Sequence, residues 1–171
     1  MITPTFETMI HNVRAFAEMG AGVPVYPGNT DRPEPDEETA FGVITLVNSV
    51  AEGHPWSRGV TPRYTYESNR LTYQVQFYRK GAHDAAYQLR LWGMSQHGVT
   101  TAKGLGFSVI RFRDIVNVSN IIYDSWEERA SLTFSVGVVR ILSVDSEYYD
   151  TLCIDINHGT AEVPTIILNV E

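Results

Sequence analysis

Residues 71–79 read Leu-Thr-Tyr-Gln-Val-Gln-Phe-Tyr-Arg, and a helical pattern over residues 81–98 follows at once. Leu71, Tyr73, Val75 and Phe77 alternate with Thr72, Gln74, Gln76 and Tyr78, which gives a strand with one apolar and one polar face. In the helix, Ala82, Ala85, Ala86, Leu89 and Trp92 or Gly93 recur at three- and four-residue spacing as a narrow stripe, while Arg90 and Gln96 face elsewhere. Such a helix can lie across one face of a sheet. The unit carries no catalytic residue, which points to assembly rather than chemistry.

The surrounding chain supplies more of the same layers. Thr3 and Pro4 read as an N-cap and first helical position, and Phe6, Met9, Ile10, Val13, Phe16 and Ala17 keep helical spacing to an end near residues 20–22. Pro24 and Pro27 confine the extended piece between them to a sheet edge. Residues 28–39 form a polar loop with an acidic cluster of Asp31, Glu34, Asp36, Glu37 and Glu38, long for a compact domain and a candidate interface. Residues 41–50 read as a central strand, apolar on both faces through Val43, Ile44, Leu46 and Val47, and residues 52–62 as a turn-rich linker. Residues 63–79 are one long strand or a hairpin bent at residues 67–70. Residues 107–113 and 115–123 read as two short strands. Residues 130–143 form a long one, with Ala130, Leu132, Phe134, Val136 and Val138 on one side, and Leu152, Ile154 and Ile156 complete the set.

Helix, strands, helix, strands is the order of an α+β domain: a mainly antiparallel sheet with two principal helices packed on it, extended loops, and a single unit over residues 1–157. Residues 158–171 read as a C-terminal arm. Its β-prone run through Ile166, Ile167 and Leu168 could pair at an edge of its own sheet or of a neighbour's.

The chain has 171 residues, 43% of them hydrophobic, enough for one well-filled core. Cys153 is the single cysteine, so no intramolecular disulfide and no thiolate metal site can form, and a reducing compartment is expected. The N-terminus lacks a signal pattern and no apolar run has membrane-spanning length, so no membrane partner is expected. A net charge of −7 argues against general affinity for nucleic-acid phosphates. The charge is polarised: residues 60–114 carry eight basic against three acidic residues, residues 115–171 two against nine. Copies of such a chain can meet basic side to acidic side.

Catalytic patterns are lacking. His11, His54, His83, His97 and His158 show no metal-ligand spacing, and the pairs His83 with Asp84 and Asp155 with His158 are of the kind chance supplies. Gly104-Leu-Gly106 lacks a third glycine and precedes a strand, so it reads as a turn rather than a dinucleotide site. No serine lies in a Gly-x-Ser-x-Gly elbow, and Asp124, Glu127 and Glu128 around Trp126, followed by Arg129, read as a charged turn. Neither an enzyme nor a cofactor or metal is expected.

Several of these segments together resemble the tail terminator (neck) proteins of tailed bacteriophages. The matching text is the N-terminal helix from Thr3, the acidic loop with the strand over residues 41–50, Tyr73-Gln-Val-Gln-Phe-Tyr-Arg79 with its alanine-rich helix, and Glu127-Glu-Arg-Ala130 leading into Leu132-Thr-Phe-Ser-Val136. The likeness covers most of residues 3–156 and stops before the arm. It implies a non-enzymatic virion subunit, assembled in the host cytoplasm into a homohexameric ring. That ring caps the tail tube, joins the tail to head-completion proteins and lets DNA pass without specific binding. Another head–tail connector, a tube subunit or, in a different class, a ligand-binding module or enzyme are the alternatives.

Overall fold

Leu71, Tyr73, Val75 and Phe77 are each 1% exposed or less, the inner face of the middle strand of a five-stranded sheet. The structure, a computed structural model, describes residues 6–28, 39–58, 63–122, 125–144, 151–153 and 167–169. Its elements are α1 (Phe6–Ala21), β1 (Val25–Pro27), β2 (Phe41–Arg58), β3 (Arg63–Tyr78), α2 (Ala82–Met94), α3 (Gln96–Gly104), β4 (Ser108–Asn117), β5 (Asn120–Ile122), β6 (Ser125–Glu127), β7 (Arg129–Val144), β8 (Thr151–Cys153) and β9 (Ile167–Asn169). The sheet runs β1-β2-β3-β7-β4, antiparallel except for the parallel pair β1–β2. The α+β expectation holds.

The helices cover one face. Met9, Val13, Phe16 and Ala17 of α1 and Ala82, Ala85, Ala86 and Leu89 of α2 share a core with Ile44, Val75, Leu132, Phe134 and Val136 of the strands. The small residues of α2 allow it to lie close to α1 and the sheet, which brings large rings together beneath it. Phe16 meets Trp92 at 5.0 Å and Phe107 at 5.4 Å, and Phe134 stacks on Phe112 at 5.2 Å and Tyr73 at 6.1 Å. Ala130, Leu132, Phe134, Val136 and Val138 are all buried, as the alternation in β7 requires.

The helix expected over residues 81–98 is two helices. Ser95 turns extended (φ −74°, ψ 160°), its hydroxyl donating to the Trp92 carbonyl at 2.6 Å and accepting from the Gly98 amide at 3.2 Å. A serine N-cap thus stops α2 and starts α3 without a proline or glycine at the break. Gly98 makes the tight corner possible, because a Cβ there would lie 2.2 Å from the Trp92 carbonyl oxygen.

Other expectations need correcting. β2 does not stop at residue 50: residues 52–58, read as a linker, continue the strand through a register shift between Glu52 and Trp56, with Gly53 at φ 81°. The pairing resumes where Trp56 stacks on Tyr66 at 5.0 Å, and this cross-strand contact outweighs the local breakers. Nor is β2 buried on both faces, since the described helices cover one side: Ile44 is fully buried and Val47 is 58% exposed. β3 is one unbroken strand, paired with β7 from Arg63 to Tyr78. Residues 108–117 form a single irregular strand, β4, followed by a small β5–β6 hairpin. In the arm, β9 pairs antiparallel with β8 of its own chain, as a separate two-stranded sheet and not on an edge of the main one.

Candidate assembly surfaces

The acidic cluster Asp31, Glu34, Asp36, Glu37 and Glu38 and the arm residue Ile166 lie outside the described residues, as does the N-cap at Thr3. Ile167 and Leu168 are in β9, opposite Cys153 and Leu152. The described residues contain no group of three His, Cys, Asp or Glu side chains that could hold a metal. No described helix is long and apolar enough to cross a membrane.

The charged turn of Glu127, Glu128 and Arg129 has a structural use that its sequence does not reveal. Glu127 Oε2 accepts from Arg129 Nε at 2.9 Å, and the guanidinium lies 5.0 Å from the centre of the Tyr78 ring. Glu128 reaches the start of α2, where Gly81 offers no side-chain cap. Its carboxylate accepts from the His83 amide at 3.0 Å and the Gly81 amide at 3.1 Å, so the negative charge sits on the positive end of the helix. The His83 amide bond, followed by that of Gly81, holds its carboxyl below the ordinary value. A carboxyl depressed by folding adds stability above its unfolded pKa, and this is lost as pH falls through the folded value. Losing both cap bonds, Glu128→Ala should cost about 1 kcal/mol near neutral pH. Thermal melts at descending pH should show the gap to wild type closing below the ordinary carboxyl range; a gap constant with pH would refute the charged cap.

Around Thr72 to Tyr78, the sheet face turned away from the helices is polar and hydrogen-bonded within itself. Gln74 Nε2 donates to Ser131 Oγ at 2.8 Å, Thr72 and Ser135 hydroxyls lie 3.1 Å apart, and the Tyr78 hydroxyl donates to Gln76 at 2.7 Å. Both sides of the sheet end in long edges. β1 pairs β2 only from Gly42 to Ile44, and β4 pairs with no described strand on its outer side. Large apolar side chains stay in solvent, among them Trp126 at 67% and Ile121 at 63% on the β5–β6 hairpin. Sheet edges that no described strand pairs and exposed aromatics are surfaces that other proteins can cover.

The sequence model of the phage neck terminator protein family matches residues 7–167. The chain belongs to this family. It is therefore a structural protein of the phage neck, a component of the virion that meets other head and tail proteins. The match runs past residue 157 into the arm, further than the resemblance read from the motifs. No curated protein matches the chain. For a terminator, the relevant sites are surfaces, and the sequence reading passed over two of them. Tyr87, Leu91 and Met94 repeat at helical spacing opposite the buried stripe of α2, and Trp56 lay in what read as a linker.

Proposed function

We propose that this neck terminator closes into a homohexameric ring on the finished tail tube, stops its growth, and presents its far side to head-completion proteins while DNA passes through. The family match across residues 7–167 carries the reading. The sheet edges that no described strand pairs support it, as does the charge polarity along the chain, because a ring needs unlike surfaces on each copy. Purified protein added to polymerising tube protein should arrest tubes at a shorter mean length. Undiminished growth at saturating protein would contradict the reading.

In this reading the acidic balance of the chain serves DNA passage, because negative charge along the path keeps phosphates from sticking, and the cluster Asp31, Glu34, Asp36, Glu37 and Glu38 is the candidate to test. Changing Glu34, Asp36, Glu37 and Glu38 together to lysine should slow DNA ejection several-fold with particle yield little changed; normal ejection would remove these residues from the channel wall. The arm, with Ile166, Ile167 and Leu168, helps to hold a neighbour or partner. A chain ending at residue 159 should keep its circular dichroism spectrum and attach more weakly to tubes, and unaltered attachment would deny the arm that role.

A further inference from the structure

Two groups of apolar side chains, exposed on the helix and exposed or half-buried on the sheet, lie on opposite sides of the molecule. On α2, Tyr87, Leu91 and Met94 are each at least 51% exposed and share the face opposite Ala82, Ala85, Ala86 and Leu89. On the sheet, the register sets Trp56, Tyr66 and Ile141 in one row across β2, β3 and β7, with Val139 in the next row. β3 pairs with β7 without a bulge, so Tyr66 shares the face of Thr72 and Gln74, away from the helices. Trp56 is 48% and Val139 47% exposed. Since one group points out from the helix layer and the other from the opposite sheet face, they cannot cover each other within a chain.

The charges beside them are complementary. Asp84, three residues before Tyr87 on α2, is exposed and makes no ion pair among the described residues. Arg111 of β4 lies opposite Ser135, hence on the open sheet face. It too is exposed and makes no ion pair among the described residues. Of the other charges nearby, Arg70 is paired with Glu52 at 3.2 Å beside the sheet row and Arg90 with Asp114 at 3.7 Å beside the helix stripe, while Arg113, exposed on β4 two residues from Arg111, adds to its positive charge. Contact would thus set Asp84 against a basic stretch of β4. The two spans are of the same order. From Asp84 to Met94 the helix rises roughly 15 Å, and from Ser135 to Ile141 the strand runs roughly 20 Å.

We propose that the Tyr87–Leu91–Met94 stripe of one copy seats on the Trp56–Tyr66–Ile141 row of the next, with Asp84 facing Arg111. The inference rests on the ring reading and names the head-to-tail contact that closes the ring. It is tested on the full chain by mass photometry, alone and on tube ends. Leu91→Glu and Val139→Glu should each weaken assembly at least about tenfold. Circular dichroism and melting should not change, since both side chains are exposed. Each of these variants keeps one intact surface, so mixing them should give pairs that grow no further. Asp84→Arg and Arg111→Glu should each weaken assembly, and the double variant should restore it. Rings formed by Leu91→Glu and Val139→Glu as readily as by wild type would overturn this contact and leave the ring reading standing. A mixture that stays monomeric, or a double variant no better than the singles, would also overturn it. A wild-type chain that never assembles, even on tubes, would overturn both.

Discussion

Phe134→Ala should destabilise the subunit by about 3–5 kcal/mol, a large part of the stability of a domain this size. The ring is fully buried in β7 and joins three parts of the core, lying 6.4 Å from Phe16 of α1, 6.1 Å from Tyr73 of β3 and 5.2 Å from Phe112 of β4. Removing it loses the transfer energy of the side chain and leaves a cavity that these three elements cannot all close, because the helix and both strands are held elsewhere by their own contacts. Urea unfolding should show a lower midpoint with an unchanged slope. A loss under about 1 kcal/mol would mean that the site collapses around the gap and that the aromatic cluster is not the centre of the core.

Gly98→Ala should cost about 2–3 kcal/mol although it adds only a methyl group. The new carbon would lie 2.2 Å from the Trp92 carbonyl oxygen and 2.9 Å from Gly93 Cα, both backbone atoms that cannot rotate aside. The corner between α2 and α3 must open, and with it the Ser95 hydroxyl loses its bond to the Gly98 amide. An alanine is otherwise the best residue for a helix, so propensity alone forecasts a gain. The sign of the measured change in melting temperature decides between close approach and propensity: a fall supports the corner, a rise contradicts it.

The parts of the fold legible in the sequence are those where each residue's neighbours along the chain determine its surroundings. In β3 and β7 the period-two alternation continues into a sheet with one covered face, so Leu71 to Phe77 and Ala130 to Val138 could be assigned to the core directly. The α2 stripe was legible for the same reason. The break at Ser95 was not, because a serine in a helical pattern is neutral until its hydroxyl finds the Gly98 amide. The continuation of β2 was hidden by Gly53, His54 and Pro55, which read as breakers and are accommodated by the register shift opposite a continuous β3. Glu128 gave no local signal at all, since Gly81, at the start of the helix it caps, lies 47 residues earlier in the chain. The assembly surfaces were the least legible. Trp56 and Tyr66 become neighbours only through strand pairing, and an exposed Tyr87, Leu91 and Met94 differ from a core stripe only once the other side of α2 is seen to be buried.

Electron microscopy of tail tubes incubated with the purified protein tests the central claim most directly. One ring of six copies is expected at the end where growth has stopped, and none along the tube wall. Tubes with bare ends, or with the protein scattered along their length, would contradict it.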